Sequence, residues 1–170
     1  MTTAPERPAL TVLTMALQGE MFAIEAVYVR EILDLVPITE VPGAEPAVHG
    51  LINVRGRVVP LADLRLRFGM PPADATIDTR IVVIDVEIDG DVTTVGIRAD
   101  KVYEVTELLG SALEETPRLG LLWRPDFIQC FGKRGEDFIA VLDIGRMLSR
   151  ADVISAPDRM AAAALAAAVG

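Results

Sequence analysis

Gly50-Leu51-Ile52-Asn53-Val54-Arg55-Gly56-Arg57-Val58-Val59-Pro60-Leu61-Ala62-Asp63-Leu64-Arg65 sets two glycines, a proline and several polar residues among apolar positions. A plain strand does not take that composition. Asn53 and Gly56 both tolerate positive φ, which predicts turn positions there. Val58 and Val59 then open a short strand, and Pro60 confines it to an edge or an end. Ala62 to Phe68 predicts a short helix with Leu64 and Phe68 on one face and Asp63 as its cap. Gly69 stops that helix, and Pro71-Pro72 bars its continuation.

The flanks read mostly as strands. Leu10 to Leu17 is rich in β-formers and apolar on both faces. Gly19-Glu20 predicts a turn and Met21 to Ile24 a returning strand. Ala26 to Leu35 carries apolar residues at 29, 32 and 33, continued by Val36 just beyond, a spacing that predicts a helical turn or two. Pro37 and Pro42-Gly43 bracket an extended piece at Ile38 to Val41. From Arg80 to Ile88, Val82, Ile84, Val86 and Ile88 share one face, with Asp85 and Glu87 opposite. Asp89-Gly90 fits a tight hairpin turn, and Val92 to Ala99 returns. Phe127 to Gly132 and Asp137 to Leu142 make a further hairpin around Arg134-Gly135, and Asp143 to Ser149 reads as helical. Many short strands separated by turn signals point to a β-barrel or a sandwich.

Composition narrows the function classes. The chain has 170 residues and is 51% hydrophobic, enough for a real core in one domain or two intimately packed subdomains. No apolar run approaches a membrane span, and Met1 to Ala9 lacks the apolar segment of a signal peptide, so a cytoplasmic location without direct membrane insertion is expected. A single cysteine, Cys130, forms no internal disulfide. The net charge of −9 argues against nucleic acid and anionic membrane as partners. Charge is uneven, however. Residues 53–67 carry Arg55, Arg57, Arg65 and Arg67 against one acid, Asp63. Such a patch on an acidic protein receives an acidic partner or is a solvated, locally paired face.

Candidates for chemistry are few. His49 is the single histidine, and no cysteine or second histidine completes a metal set with it. No clustered calcium-loop spacing is present, and no metal or cofactor is expected. Cys130 lies in an apolar strand pattern, where an inert buried thiol is the ordinary outcome. Serines 111, 149 and 155 lie in no nucleophile elbow, and Lys133 lacks the glycine spacing of a phosphate loop. Catalysis therefore has almost no support: a small-barrel enzyme or ligand-binding protein needs a concave pocket with converging titratable groups, and such groups are scarce here. Trp123 is either an interface anchor or buried under the loop 111–126. In the tail, Ser155 and Pro157 suit a helix start and Met160 to Val169 is almost all alanine, but so short a helix is marginal alone.

The opening stretch resembles the motif of the CheW chemotaxis coupling family, roughly G-x-x-N-x-R-G-x-x-x-P-x-x-D-L-R. Gly50, Asn53, Arg55, Gly56, Pro60, Asp63, Leu64 and Arg65 match every fixed position. Val29-Arg30-Glu31-Ile32 looks like the family's V-x-E-I segment. Val95-Gly96-Ile97 with Asp100, Val102 and Val105 looks like its V-G-x-x-x-D-x-V-x-x-V segment, and Phe138 to Ile144 like its closing strand and helix. The resemblance implies a mainly β fold: two packed small five-stranded SH3-like β-barrel subdomains with short helices. It divides the chain into a tail at 1–9, a CheW-like domain at 10–150 and the alanine-rich tail at 151–170.

The resemblance also implies a function. Such a protein is a non-enzymatic adaptor that joins the cytoplasmic tip of methyl-accepting chemoreceptors to the regulatory domain of the histidine kinase CheA, with other CheW-like domains in rings. It would sit in the cytoplasm at membrane-bound receptor arrays. The alternative is a CheW-like paralogue that serves a non-flagellar array or binds receptors without kinase. By this resemblance, receptor contact falls on Val29, Glu31, Ile32 and Arg55, and secondarily on Val102; kinase contact falls on no named residue. Gly50, Asn53, Gly56, Pro60 and Asp63 have structural parts. Arg55 offers a fork suited to a carboxylate, and pairing internally with Glu31 is the other reading. Val29 and Ile32 form a contact patch or belong to the core.

Overall fold

Two-residue loops build the hairpins that begin each half. β1 (Leu10–Leu17) and β2 (Glu20–Glu25) turn through Gln18-Gly19, both at positive φ. β4 (Val48–Val54) and β5 (Arg57–Asp63) turn through Arg55-Gly56, again both at positive φ. This is the twist-matched turn that antiparallel strands favour. In the computed structural model, which describes residues 9–40, 48–88, 90–108, 113–114, 127–134 and 137–148, the second hairpin corrects one expectation. Arg55, not Asn53, takes the left-handed position, with φ 52°. Asn53 stays in β4 and accepts a hydrogen bond at Oδ1 from the Gly56 N–H at 2.8 Å. The amide side chain thus reinforces the turn from outside it.

β5 runs directly into α1 (Leu64–Arg67). Asp63 caps that helix, accepting from the Arg65 N–H at 3.0 Å, and Gly69 ends it at φ 73°. Pro60 does not mark an edge. β5 lies between β4 and β7 (Asp91–Ala99), and β7 joins it only from Leu61 onward, past the proline.

Residues 26–35 also depart from expectation. A 3-10 turn covers only Ala26–Tyr28, and β3 (Val29–Asp34) follows as a strand against β6 (Arg80–Ile88). The spacing 29, 32, 33, 36 fits a helix, but pairing with β6 overrides it: Glu31 faces Val83, Ile32 faces Val82 and Leu33 faces Ile81. A register shift between Val29 and Glu31 lets Val29 and Ile32 share one side.

The remaining elements are β8 (Lys101–Leu108), the two-residue β9 (Leu113–Glu114), β10 (Ile128–Arg134), β11 (Asp137–Leu142) and α2 (Ile144–Met147), the last capped by Asp143. Among the described residues the strands form two sheets, ordered β8-β1-β2-β11-β10-β9 and β3-β6-β7-β5-β4. The fold is mainly β, as expected, with five longer strands in the first sheet beside β9 and five in the second. Gly90 turns the β6–β7 hairpin at φ 89°. Asp89, Gly135, Trp123 and the alanine-rich tail lie outside the described residues.

The largest core cluster lies between the sheets. From the first come Leu13, Met15, Phe22 and Ile24; from the second, Val82, Ile84, Val95 and Ile97. The opposite faces hold smaller clusters, one around Val12, Ile139 and Val141, the other around Ile52, Leu61, Ile81 and Val83. Alternate β6 residues thus serve two cores, which explains why Ile81 and Val83 are buried as fully as Val82 and Ile84. The free edges curl toward each other. Thr39 bridges to Leu51 by two backbone hydrogen bonds of 2.8 Å, carrying the segment after β3 onto β4. In the first sheet Leu108 packs onto Gly132, where a Cβ would lie 2.5 Å from its Cδ1.

Candidate functional site

The tip of the β4–β5 hairpin lies against β3, and there the two halves of the motif meet. Arg55 donates from Nε and a terminal nitrogen to Glu31 Oε2 at 3.1 and 2.9 Å. The pair is asymmetric: the Glu31 side chain is 22% exposed and that of Arg55 81%. Hydrogen bonding to Glu31, and then its charge, hold the Arg55 guanidinium above its ordinary pKa. An arginine so exposed keeps donors facing solvent while its orientation is set from one side. Both readings of Arg55 therefore hold together: it pairs internally and remains presented.

Gly50 permits a close backbone crossing on the same strand, β4. A Cβ there would stand 2.5 Å from the Thr39 carbonyl oxygen and 2.6 Å from an Ile38 methyl. The close crossing of residues 38–39 over β4 requires glycine, although its φ is ordinary for any residue.

The four arginines of the basic stretch separate once folded. Arg55 and Arg57 are exposed at the hairpin. Arg65 is buried; it donates to Asp100 Oδ2 at 2.6 Å and to the Pro71 carbonyl at 3.0 Å. Arg67 donates to the Met147 carbonyl at 2.8 Å and lies over the Phe127 ring. Asp63, 1% exposed, caps α1 and stands 3.9 Å from a terminal nitrogen of Arg98. Arg65 and Asp63 are thus framework residues.

The expected contact residues are partly united. Val29 is half-buried against the shared core, whereas Ile32, on the same strand, is 43% exposed. Val102 is also half-buried against that core, but it belongs to β8 in the first sheet and faces Met15. The Glu31–Arg55 pair belongs to the second sheet. Pattern reading missed Arg30. Its side chain lies beside the pair, shares a cleft with Glu31, Arg55 and Arg57, and forms an ion pair with Asp85 at 3.4 Å. Its place beside Glu31 in Val29-Arg30-Glu31-Ile32 was the available signal. Cys130 is buried, and no group of three potential metal-binding side chains occurs among the described residues. No helix among them is long and apolar enough to cross a membrane.

Comparison with known proteins places the family and the fold. The family model described as CheW-like domain matches residues 11–152. A chemotaxis protein CheW from Bacillus subtilis is 32% identical over 118 residues, covering 68% of this chain and 71% of the relative. One from Klebsiella aerogenes is 26% identical over 137 residues, covering 81% and 80%. The crystal structure of the scaffolding protein TtCheW from Thermoanaerobacter tengcongensis superposes with a TM-score of 0.72 at 26% identity, covering 83% of this chain and 92% of that one.

Proposed function

Because the chain belongs to the CheW-like family, we propose that it is a non-enzymatic adaptor coupling methyl-accepting chemoreceptors to a CheA-type histidine kinase. The observation that carries this reading is the presented Arg55, oriented by Glu31 yet largely open to solvent. Its guanidinium offers a fork to a carboxylate on the receptor's cytoplasmic hairpin, and exposed Ile32 adds an apolar contact on the adjoining strand. Val29 shapes the base of that strand, and Val102 extends the contact onto the first sheet. The protein works in the cytoplasm at receptor arrays, where other CheW-like domains join it in rings.

Coupling requires that contacts differ between the kinase-on and kinase-off arrangements. An adaptor that bound both equally would transmit nothing. The test is co-sedimentation with a receptor cytoplasmic fragment and the kinase regulatory domain from the same cell, using wild type and Arg55→Glu. Wild type should pellet with both, and Arg55→Glu should lose receptor capture while keeping its circular dichroism spectrum. Capture of the receptor without the kinase would instead assign a receptor-only paralogue. Failure of wild type to bind either defeats the adaptor reading.

A further inference from the structure

Glu31 and Arg55 occupy fixed positions of the two motifs, but the arginines on either side of them do not. Arg30 fills the free position of V-x-E-I, and Arg57 the free position after R-G. The fold brings all four side chains to one cleft of about 120 Å³, floored by the buried Val54, Val59 and Val83. That volume suits a side chain and a few waters, and is well below the range of small-molecule sites. Three arginines and one glutamate line it, on a protein whose net charge is −9. Arg30 is partly occupied by Asp85, which Thr94 also holds at 2.6 Å. Arg57 is exposed and has no ion-pair partner among the described residues.

We infer that Arg30 and Arg57 are specificity residues of this chain, selecting a protein partner that presents carboxylates beside the group Arg55 engages. The inference rests on the adaptor reading and adds to it the chemistry of the partner's contact surface. Two further cations on the same cleft widen a one-carboxylate contact to one that can take several. Exposed charges of this kind govern association rate and salt dependence more than the depth of the bound state. Each exposed pair contributes little singly, so the pair must be removed together to be read. Neither substitution touches a buried group, since Arg30 and Arg57 are both exposed.

The experiment measures binding of a receptor cytoplasmic hairpin fragment from the same cell at low and moderate salt. One version of the fragment is native and one has its tip carboxylates changed to glutamine. The proteins are wild type, Arg55→Glu, Arg57→Gln and Arg30→Gln/Arg57→Gln, each checked for an unchanged circular dichroism spectrum. The double variant should bind the native fragment roughly three- to tenfold more weakly at low salt. It should show a shallower salt dependence and a smaller difference between the two fragments than wild type, the remaining difference belonging to Arg55. Arg57→Gln should fall between. An affinity and salt slope equal to wild type in the double variant, with Arg55→Glu defective, overturns this inference and leaves the adaptor reading intact. No binding by wild type removes both. Should the double variant lose its fold, equal binding and salt slope in Arg57→Gln and wild type overturns the inference.

Discussion

Removing the Asp100 carboxylate tests how the two sheets are joined. Asp100 is the single residue between β7 in the second sheet and β8 in the first. Its Oδ2 accepts from Arg65 at 2.6 Å and from the backbone N–H of Gln18 at 2.7 Å. One donor belongs to α1, which follows the second sheet's β5, and the other to the β1–β2 turn of the first sheet. Hydrogen bonds to a charged group contribute about 1.5–3 kcal/mol each. The Asp100 side chain is 31% exposed, so water replaces part of what is lost and the lower end applies. Asp100→Ala should therefore cost about 3 kcal/mol, lowering Tm by about 6–12 °C for a chain of this length. Asp100→Asn retains an acceptor for Gln18 but loses the charge facing Arg65, and should cost about half as much. Urea denaturation of both variants, and of a double-mutant cycle with Arg65→Met, measures these terms. The cycle should show coupling of about 1–2 kcal/mol. Coupling near zero, or an Asp100→Ala loss below about 0.5 kcal/mol, would refute the junction as a stabilising tie.

Two further outcomes follow from local geometry. Gly50→Ala forces a Cβ against the Thr39 carbonyl oxygen, which is backbone and cannot rotate away. The loss should be about 2–4 kcal/mol, with the amides of Thr39 and Leu51 exchanging faster; unchanged exchange there would count against the close crossing. Burial, then the charges of Glu25 and Asp143, push the Tyr28 phenol above the ordinary tyrosine pKa. The folded state therefore holds that proton to higher pH than the unfolded chain, and stability declines as pH rises through the alkaline range. Tyr28→Phe should flatten the decline in urea midpoints between about pH 9 and 11, and an identical slope would contradict it.

Much of the site was legible from turn chemistry. The hairpin before Val58, the cap at Asp63 and the helix stop at Gly69 all follow from residues within a few positions of one another. Asn53 was recognised as a turn residue, yet its part differs: it braces the turn by its side chain while Arg55 takes the positive φ. Local pattern cannot decide which neighbour bends when strand pairing to β5 fixes the register. The apolar spacing of the β3 segment satisfies a helix, and only the partner strand β6 distinguishes the two.

The sequence by itself determined a mainly β chain, its hairpins, the helix capped by Asp63, a second short helix and the family motif. Each of these rests on contacts between near neighbours or on residue types that few conformations accept. Only the tertiary structure decided which arginines are presented and which are framework. Arg55 and Arg65 look alike in the motif, but Arg55 meets Glu31 from 24 residues away and Arg65 meets Asp100 from 35. Arg30 joins Arg57 at one cleft although they lie on the opposite edge and an inner strand of the second sheet. Those meetings depend on sheet closure and on the core shared between the sheets. Closure and shared burial are set by long-range packing, which local residue patterns do not encode.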